Sequence, residues 1–304
     1  RDRMKAAFSL PGVAKTAMSI QLNAGGRRRT SVIPEPEKPQ NQPPVSKEQE
    51  IQDAMRRLMN GNDNAPVVIT VPIDKPLEDA VRDFNKEKYD YILVRPGVYR
   101  CNSVLEVSKE LHIVGEVGAR IVGSWVFKAN DTRSTIHNVA LQFEADTKQT
   151  DYQRLVHVTS GELHITDSAL LCPLGYCLWT ASRSSVSTKG CIFAGSDDGS
   201  VQAAAGVVAM DFSRCTLTDS RMENLEESCV FADNDAEAKL TNCTLQCADI
   251  GVMLTDRARA VMSKCTMRVF RRGCFGQLRS SETELSMKDC TTHGEMWGLG
   301  EKPA

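Results

Sequence analysis

A cysteine returns at nearly regular intervals through the second half of this 304-residue chain. It stands in similar local sequence at five positions, 22 to 28 residues apart, namely Cys191, Cys215, Cys243, Cys265 and Cys290. A repeat of this length is typical of solenoids, in which each repeat forms one coil that stacks on its neighbours. We therefore expect the chain to bury its apolar side chains by stacking repeats, not around one central sheet or helix bundle.

Each repeat contains two short apolar stretches that indicate strands. The first lies thirteen residues before the cysteine, as in Leu178-Trp179 and Val230-Phe231. The second alternates apolar and polar residues, as in 238–241 and 260–263, which is the pattern of a half-buried strand. Short strands without intervening helices bury their apolar positions by stacking on copies of themselves. The sequence thus predicts an all-β solenoid, a right-handed parallel β-helix with short N-terminal helices and an extended N-terminal tail.

The register of earlier coils follows from the same frame. Ser168 and Asn138 are expected in the cysteine column of two earlier coils. A second column is predicted fourteen to sixteen residues before the first and contains Cys177, Cys229, Gly251 and Cys274. Like residues of successive coils then lie about 4.8 Å apart. The longest steps need protruding loops, which we expect at 145–153 and 219–227, where the sequence is polar.

The eleven cysteines are expected to be reduced thiols that fill tight interior positions. Their number is odd, and cysteines stacked on adjacent coils point their Cα–Cβ bonds in parallel, which is poor disulfide geometry. This predicts a reducing, intracellular compartment. The spacings from Cys172 to Cys177 and from Cys243 to Cys247 differ from the paired Cys-x2-Cys frames of structural zinc sites. We therefore expect no metal and no cofactor.

Composition changes along the chain and predicts four segments. Residues 1–45 are expected to be an extended, basic, proline-bearing tail that includes Arg27, Arg28 and Arg29. Residues 46–66 are expected to form an amphipathic helix and a linker, the helix either capping the first coil or docking on a partner. Residues 67–296 form the predicted β-helix, and residues 297–304 a C-terminal tail. No run approaches the 18 apolar residues of a membrane span.

The segment that leads into the predicted solenoid has a specific order of elements. A helix through Phe84 is followed by a strand ending in Pro96-Gly97-Val98-Tyr99, and an alternating stretch runs from Leu105 to Gly115. This order resembles the entry to the pectin-lyase-like right-handed parallel β-helix proteins. The coils centred on cysteine and asparagine resemble the intracellular branch, the β-helix regions of F-box-associated proteins and of the Shc SH2-domain-binding protein family. The resemblance covers 67–296 and implies a fold more than a function.

An enzymatic alternative rests on acidic residues, because extracellular proteins of the resembling family cleave acidic polysaccharides. A lyase of this fold needs carboxylates on neighbouring coils to hold Ca²⁺, and a basic residue that abstracts a proton. A hydrolase needs two carboxyl groups roughly 5 to 9.5 Å apart. The candidate catalytic residues are Asp233, Asp235 and Asp256, which lie at nearly equivalent positions of successive repeats. Asp197 and Asp198 form a second acidic pair in a predicted turn. The Gly-His-Gly and Arg-Ile-Lys elements of hydrolases with this fold are absent from the sequence.

A basic run follows these aspartates, and residues 257–279 contain no acidic side chain. On a β-helix we expect such residues to form an exposed stripe over two coils. The predicted partner-binding residues are the tail arginines together with Arg257, Arg259, Arg268, Arg271 and Arg272. The expected partner is an acidic protein surface, such as that of tubulin, with nucleic-acid phosphate as a weaker alternative. Solvated charge without any partner is the third interpretation.

The function predicted from these features is that of a non-catalytic scaffold. Stacked coils give a stiff rod with flat faces, and a basic tail that orders on binding adds contact area. We expect a structural subunit of a large intracellular assembly in the cytoplasm or cytoskeleton, with a ciliary or axonemal setting preferred. Its partners would be proteins bound through the tail, without a membrane. A polysaccharide lyase or hydrolase acting on acidic glycans is the alternative, and an RNA-binding subunit of a ribonucleoprotein is the third hypothesis.

Overall fold

A computed structural model describes residues 67–84, 89–144, 153–247, 249–269, 271–278, 282–294 and 297–299. One helix in this part of the chain, α1, spans Leu77–Phe84. The strands are β1 (Val68–Val71), β2 (Tyr91–Val94), β3 (Gly97–Arg100), β4 (Leu105–Val107), β5 (His112–Gly115), β6 (Ala119–Val122), β7 (Trp125–Phe127), β8 (Arg133–His137), β9 (Ala140–Gln142), β10 (Arg154–Val158), β11 (Glu162–Thr166), β12 (Ala169–Leu171), β13 (Tyr176–Thr180), β14 (Ser185–Lys189), β15 (Ile192–Ala194), β16 (Ala203–Ala209), β17 (Arg214–Thr218), β18 (Arg221–Ala232), β19 (Glu237–Thr241), β20 (Thr244–Cys247), β21 (Ile250–Thr255), β22 (Arg259–Ser263), β23 (Thr266–Val269), β24 (Gly273–Leu278), β25 (Glu284–Lys288), β26 (Thr291–His293) and β27 (Trp297–Leu299).

These strands pair in parallel with the strand one coil away and form three walls. Sheet A contains ten strands in the order β1, β2, β5, β8, β11, β14, β17, β19, β22, β25. The remaining strands alternate between two walls that the long strand β18 joins. Sheet B contains β3, β6, β9, β12, β15, the start of β18, β20, β23 and β26, and sheet C contains β4, β7, β10, β13, β16, the end of β18, β21, β24 and β27. The chain is thus a parallel β-helix, as predicted.

The core lies inside the coil, where one side of each strand points. In sheet A, Ile136 pairs with Ile165, and both are buried to within 1% of their surface. The column continues through Leu217, Leu240 and Met262 on later coils. Each such side chain contributes about 1.5 to 3 kcal/mol by leaving water. The alternation seen in the sequence therefore does place the apolar side of sheet A inward.

The corner between sheets A and B is a one-residue turn with a positive φ angle. The residues at this turn column are Asn138, Asp167, Gly190, Asp219, Asn242, Lys264 and Asp289, with φ between 49° and 65°. Asn, Asp and Gly tolerate this left-handed backbone best. The residue that follows points inward, and it is Cys191, Cys243, Cys265 or Cys290 in four of the coils. The predicted cysteine column is therefore real on these coils.

Two assignments to that column were wrong. Cys215 lies within β17 and pairs with Val186 and Ala238, so it belongs to sheet A, and Ser220 occupies the column position of its coil. Asn138 is a turn residue itself, and the inward position belongs to Val139. Residue type misled the alignment, because the register is fixed by the positive-φ turn and not by the cysteine.

The second predicted column is confirmed, with one member added. Its residues on successive coils of sheet C are Cys177, Gly206, Cys229, Gly251 and Cys274. A Cβ atom on Gly251 would lie 2.6 Å from the carbonyl oxygen of Cys274, so the glycines are required where the next coil approaches closely. Small side chains thus set the tight spacing at the start of sheet C.

One predicted loop is in the wrong place. Residues 219–227 were expected to protrude, but Arg221–Ala232 is a continuous strand. The longest described step between inward positions of the column runs from Cys191 to Ser220, and its extra residues form the loop 195–202 between β15 and β16. The other predicted loop lies mainly outside the described residues.

The N-terminal calls are partly within the described chain. The strand predicted at 67–71 is found as Val68–Val71, and the helix predicted through Phe84 is found as α1, which buries Leu77, Val81 and Phe84. The tail at 1–45, with Arg27, Arg28 and Arg29, and the helix predicted at 46–60 lie outside the described residues. Within the described chain, no helix has the length and apolarity needed to cross a membrane.

Candidate functional site

The long strand β18 contains a break in its pairing that shapes the surface around it. Met222 pairs with Leu245, but the next pair joins Leu225 to Cys247, so Glu223 and Asn224 together face Gln246 alone. Asn224 has a φ of 54° at this β-bulge. Bulges are over-represented beside active sites, because they redirect side chains on an otherwise regular strand.

A cavity of about 410 Å³ opens beside this bulge. The loop 195–202 forms one wall, and the ends of β15, β18 and β20 form the other. Its polar lining consists of three carboxylates and three amides, with Ser196 beside them: Asp197, Asp198, Glu223, Gln202, Asn224 and Gln246. Ligand sites of this size usually combine apolar surface with a few convergent polar groups. Here Ala194, Leu225 and Cys247 supply the apolar part.

The loop that forms the outer wall is held by its own side chains. Oδ1 of Asp198 accepts hydrogen bonds from the backbone N–H of Ser200 at 3.0 Å, from Ser200 Oγ at 2.6 Å and from Ser196 Oγ at 2.8 Å. These donors stabilise the carboxylate and lower the pKa of Asp198 to about 2. Gly195 starts the loop because a Cβ atom there would overlap the carbonyl oxygen of Val201.

The other two carboxylates are each held by an arginine. Asp197 forms an ion pair with Arg120 of β6, which lies three coils away on sheet B. Oε1 of Glu223 accepts a hydrogen bond from Arg221 at 2.7 Å. The amide of Asn224 closes the bulge by donating to the carbonyl of Val201 at 2.8 Å. The cavity is therefore built from side chains with defined positions on both of its walls.

The aspartates proposed from the sequence lie elsewhere, at the corner between sheets C and A. Asp233 is buried and accepts a hydrogen bond from Thr255 Oγ1 at 2.5 Å. Asp235 forms a two-point contact with Arg257, from Nε at 2.8 Å and from Nη2 at 2.5 Å, and the arginine lowers the pKa of this carboxyl. Asp256 is a turn residue with a φ of 45°. The structure does bring the three to one corner, but as a buried group, an ion pair and a turn.

A second cavity, of about 380 Å³, lies at this corner. Asp235 and Arg257 line it together with Phe212, Arg214, Glu237, Arg259 and Glu282. Opposite charges alternate along the coils here, since Arg214 Nε lies 3.6 Å from Glu237 Oε2 on the next coil. The carboxylates of this corner are thus paired with arginines that neutralise them, which makes the corner a weaker candidate for acid–base chemistry.

The arginines predicted as one stripe are distributed over three parts of the coil. Arg257 and Arg259 begin sheet A, Arg268 lies on β23 of sheet B, and Arg271 and Arg272 lie at the corner between sheets B and C. Three of them are paired with acids: Arg257 with Asp235, Arg259 Nε with Glu284 at 3.5 Å, and Arg272 Nε with Asp249 at 3.0 Å. The residues are adjacent in sequence, but the coil turns through all three walls between them.

Asp249 shows what the arginine pairing does at a buried position. Burial raises the pKa of this carboxyl, and the neighbouring Arg272 and Arg271 act in the opposite direction. Over the described residues, no group of three or more His, Cys, Asp or Glu side chains has the arrangement of a metal site. All eleven cysteines have free thiols.

The sequence reasoning found Asp197 and Asp198 but interpreted them as part of a turn. It missed Glu223, Asn224 and Gln246, because a bulge is invisible in a pattern of alternating residues. One signal was present: the step between inward positions is longest at this coil, and long loops on a rigid scaffold often carry function.

Comparison with known proteins places the fold. No protein-family model and no curated protein match the sequence. Among solved structures, a pectin methylesterase from Aspergillus niger is 7% identical, with 80% of this chain and 92% of that chain covered and a TM-score of 0.47. The catalytic domain of a GH87 α-1,3-glucanase in complex with nigerose is 9% identical, with 80% and 69% covered and a TM-score of 0.42. The A-module of a mannuronan C-5 epimerase from Azotobacter vinelandii is 10% identical, with 74% and 92% covered and a TM-score of 0.28.

These similar structures are pectin-lyase-like right-handed parallel β-helix proteins, which agrees with the resemblance seen in the sequence. They correct two predictions. The chain was expected to be a non-catalytic scaffold and not an enzyme, whereas the similar structures are enzymes that act on carbohydrates. At identities of 10% or less the likeness shows the fold alone, so any activity has to be argued from the residues of this chain.

Proposed function

We propose that this chain is a carbohydrate-active protein whose site is the cavity between the loop 195–202 and the bulge of β18. The observation that carries the proposal is the composition of the cavity, in which Asp198 and Glu223 share one concave surface with three amides. Amides and carboxylates can both donate to or accept from the hydroxyl groups of a sugar. Paired carboxyl groups are also the catalytic groups of most glycoside hydrolases.

The hydrogen bonds assign different roles to the two carboxyl groups. Asp198 stays ionised at any working pH, because three donors hold its Oδ1 and its pKa is about 2. It therefore serves as the carboxylate that attacks the sugar or activates water. Proton donation to the glycosidic oxygen then falls to Glu223, which projects from a rigid strand rather than a loop. One residue that donates a proton and one that supplies negative charge are what glycosidic cleavage requires.

The charge of the cavity favours a neutral glycan. Its lining contains three carboxylates and no lysine, arginine or histidine. An ionised carboxylate repels the carboxylate of a uronic acid, and the repulsion is stronger in a partly enclosed site than in bulk water. The lining thus supports a neutral polysaccharide over the acidic glycans that the sequence resemblance suggested.

The test compares full-length protein with two isosteric variants. Neutral glucans and xylans and acidic pectate and alginate are incubated with the protein, and new reducing ends are measured. We expect release from a neutral polymer, and Glu223→Gln and Asp198→Asn should each lower the rate by about 10²-fold or more. Asp289→Asn is the matched control, since it makes the same chemical change at a turn where asparagine already stands on other coils.

Three outcomes would decide against the proposal. Absence of both cleavage and binding with every neutral polymer would refute it. Equal activity of Glu223→Gln and wild type would remove this cavity from the mechanism. Activity confined to acidic polymers would contradict the charge argument.

Several finer predictions from the sequence remain untested. Binding of an acidic protein surface by the arginines, a reducing location and the relation to the intracellular F-box and Shc-binding branch stay predictions. The arrangement of the arginines on three walls means that a partner would contact them as separate sites.

A further inference from the structure

The outer side of sheet C is apolar, unlike the outer side of sheet A. Val208, Phe231 and Met253 form one outward column on successive coils, with Trp179 before them. Tyr176, Ala205, Ser228 and Ile250 form the column beside it. Their neighbours along each strand, such as Val207 and Val230, belong to the main core inside the coil. We name these eight outward residues the outer face of sheet C.

This face is buried, although it points away from the core. Val208, Met253 and Ile250 have no exposed surface, and Phe231 is 5% exposed. The apolar residues form a cluster of their own, separate from the main core. A wall one strand thick leaves its outward side chains in water unless something packs against them. The described elements that contact β13, β16 and β21 are strands of the solenoid itself.

A polar atom on the face points to the same conclusion. Ser228 Oγ is fully buried and has no hydrogen-bond partner among the described residues. A hydroxyl buried without a partner costs about 1 to 3 kcal/mol. Water would satisfy it if the face were open, so an occupant that covers the face also has to come near this hydroxyl. The continuous apolar sequences 203–209 and 250–254 fit strands that are covered on both sides.

We propose that residues 4–14 of this chain occupy the outer face of sheet C. Seven of these eleven residues are apolar: Met4, Ala6, Ala7, Phe8, Leu10, Val13 and Ala14. The face is buried within a single copy of the chain, which favours an occupant from the same chain over a second copy.

Charge favours this segment over the amphipathic stretch at 46–60. Residues 1–15 contain four basic residues and one acidic residue, whereas residues 46–60 contain three of each. The borders of the face are acidic, with Glu226 and Glu227 directly before Ser228, Asp249 directly before Ile250, and Asp233 two residues after Phe231. A basic segment therefore complements the rim of the apolar surface.

The connecting chain is long enough. Strands β13 and β21 lie four to seven coils beyond β1, which is roughly 19 to 34 Å at about 4.8 Å per coil. Residues 15–66 connect the segment to β1, and a flexible chain of that length spans roughly 40 Å on average. The segment thus reaches the face without strain.

Methionine oxidation tests the proposal in the full-length protein. Met253 lies on the outer face, whereas Met262 and Met267 point into the coil, and all three are buried. Oxidation by dilute hydrogen peroxide is followed at each methionine by peptide mass spectrometry. In the wild type all three should react slowly. In Phe8→Asp we expect Met253 alone to react at least tenfold faster, because a buried charge displaces the segment. Ser9→Asp is the matched control and should leave Met253 protected.

The alternatives give different results. Fast oxidation of Met253 in the isolated wild type would mean that another protein covers the face, and it would overturn the proposal. Protection that survives Phe8→Asp would do the same, and if it also weakened on dilution it would indicate a second copy. If Met262 and Met267 also react faster, the variant has unfolded, and a photo-crosslinking residue at position 8 of the otherwise wild-type chain decides. Crosslinks to 203–209 or 250–255 support the proposal, and crosslinks elsewhere refute it.

Discussion

The inward cysteine column makes a sharp prediction about charge at one position. Cys265 is 1% exposed, and Cys243 and Cys290 occupy the same column on the coils before and after it. Its thiol donates to the carbonyl of Ser263 at 3.3 Å. An arginine introduced here would have stacked backbone on both sides and no path to solvent. We therefore expect Cys265→Arg to unfold the coils around it.

The magnitude follows from two costs. An unpaired charge inside a protein costs several kcal/mol, and an oversized side chain in a packed core costs about 1 to 3 kcal/mol more. The sum of roughly 5 kcal/mol or more compares with a total stability of about 5 to 15 kcal/mol for a typical domain. At about 2 to 4 °C per kcal/mol for a chain of this size, the melting temperature should fall by roughly 10 to 20 °C. Cys265→Ala, which only removes a small group, should cost about 1 kcal/mol.

The control is the next residue along the chain. Thr266 points outward from sheet B, and Arg221 already stands in the same column two coils away. Thr266→Arg should therefore melt within about 2 °C of the wild type. Thermal unfolding is followed by circular dichroism, with hydrogen exchange of β22 and β25 to locate the loss, because coils of a solenoid can unfold separately. A Cys265→Arg protein as stable as Thr266→Arg would refute the inward register.

The remaining predictions concern a histidine, the turn column and the thiols. Burial first, and then nearby positive charge, lowers the pKa of His157 from 6.5 to about 4, so the folded state disfavours protonation; the stability it contributes is full above pH 6.5 and is lost as the pH falls to 4. The shift corresponds to at most about 3 kcal/mol, and since the ring is partly exposed we expect about 1 to 2 kcal/mol, which should disappear from the pH dependence of urea unfolding in His157→Phe. Lys264 has a φ of 55° where Asn stands on other coils, so Lys264→Asn should raise stability by about 0.5 to 1 kcal/mol and Asn242→Lys should lower it by at least as much, as measured by thermal unfolding. Without any reductant, all eleven thiols should react with maleimide in denaturant, and under native conditions only Cys101 and Cys290 should react, slowly because burial raises the pKa of both; a disulfide found in the denatured protein would contradict the reduced state.

The comparison of sequence and structure shows which patterns were reliable. The alternation in 238–241 and 260–263 predicted strands, and both are strands of sheet A. The second column from Cys177 to Cys274 was correct because small residues are required at one close approach of the coils. Cys215 was misplaced because a Cys-Thr-Leu sequence also occurs within β17, where it has a different structural role. The turn residues with positive φ, six of which are Asn, Asp or Gly, are the more reliable marker of register.

The candidate site was harder to predict, for a physical reason. Asp233, Asp235 and Asp256 are close in the fold, as expected, but only the coordinates reveal that Asp235 is neutralised by Arg257 and that Asp233 is buried. Glu223 joins Asp198 because of a bulge and a folded-back loop, and both depend on contacts between coils. A local pattern contains no information about such contacts.

The sequence alone determined that this protein is a solenoid, because a repeat of short apolar stretches can be buried in no other way than by stacking. It also determined that sheet C is covered on both sides, since the strands around 203–209 and 250–254 have no polar side to expose to water. Only the tertiary structure decided which side chains meet. One coil takes the chain through three walls in about 22 residues, so Arg257 and Arg271 separate while Arg120 and Asp197, 77 residues apart, form an ion pair. Proximity in a stacked coil is set by the register between turns, and that register is a property of the whole stack.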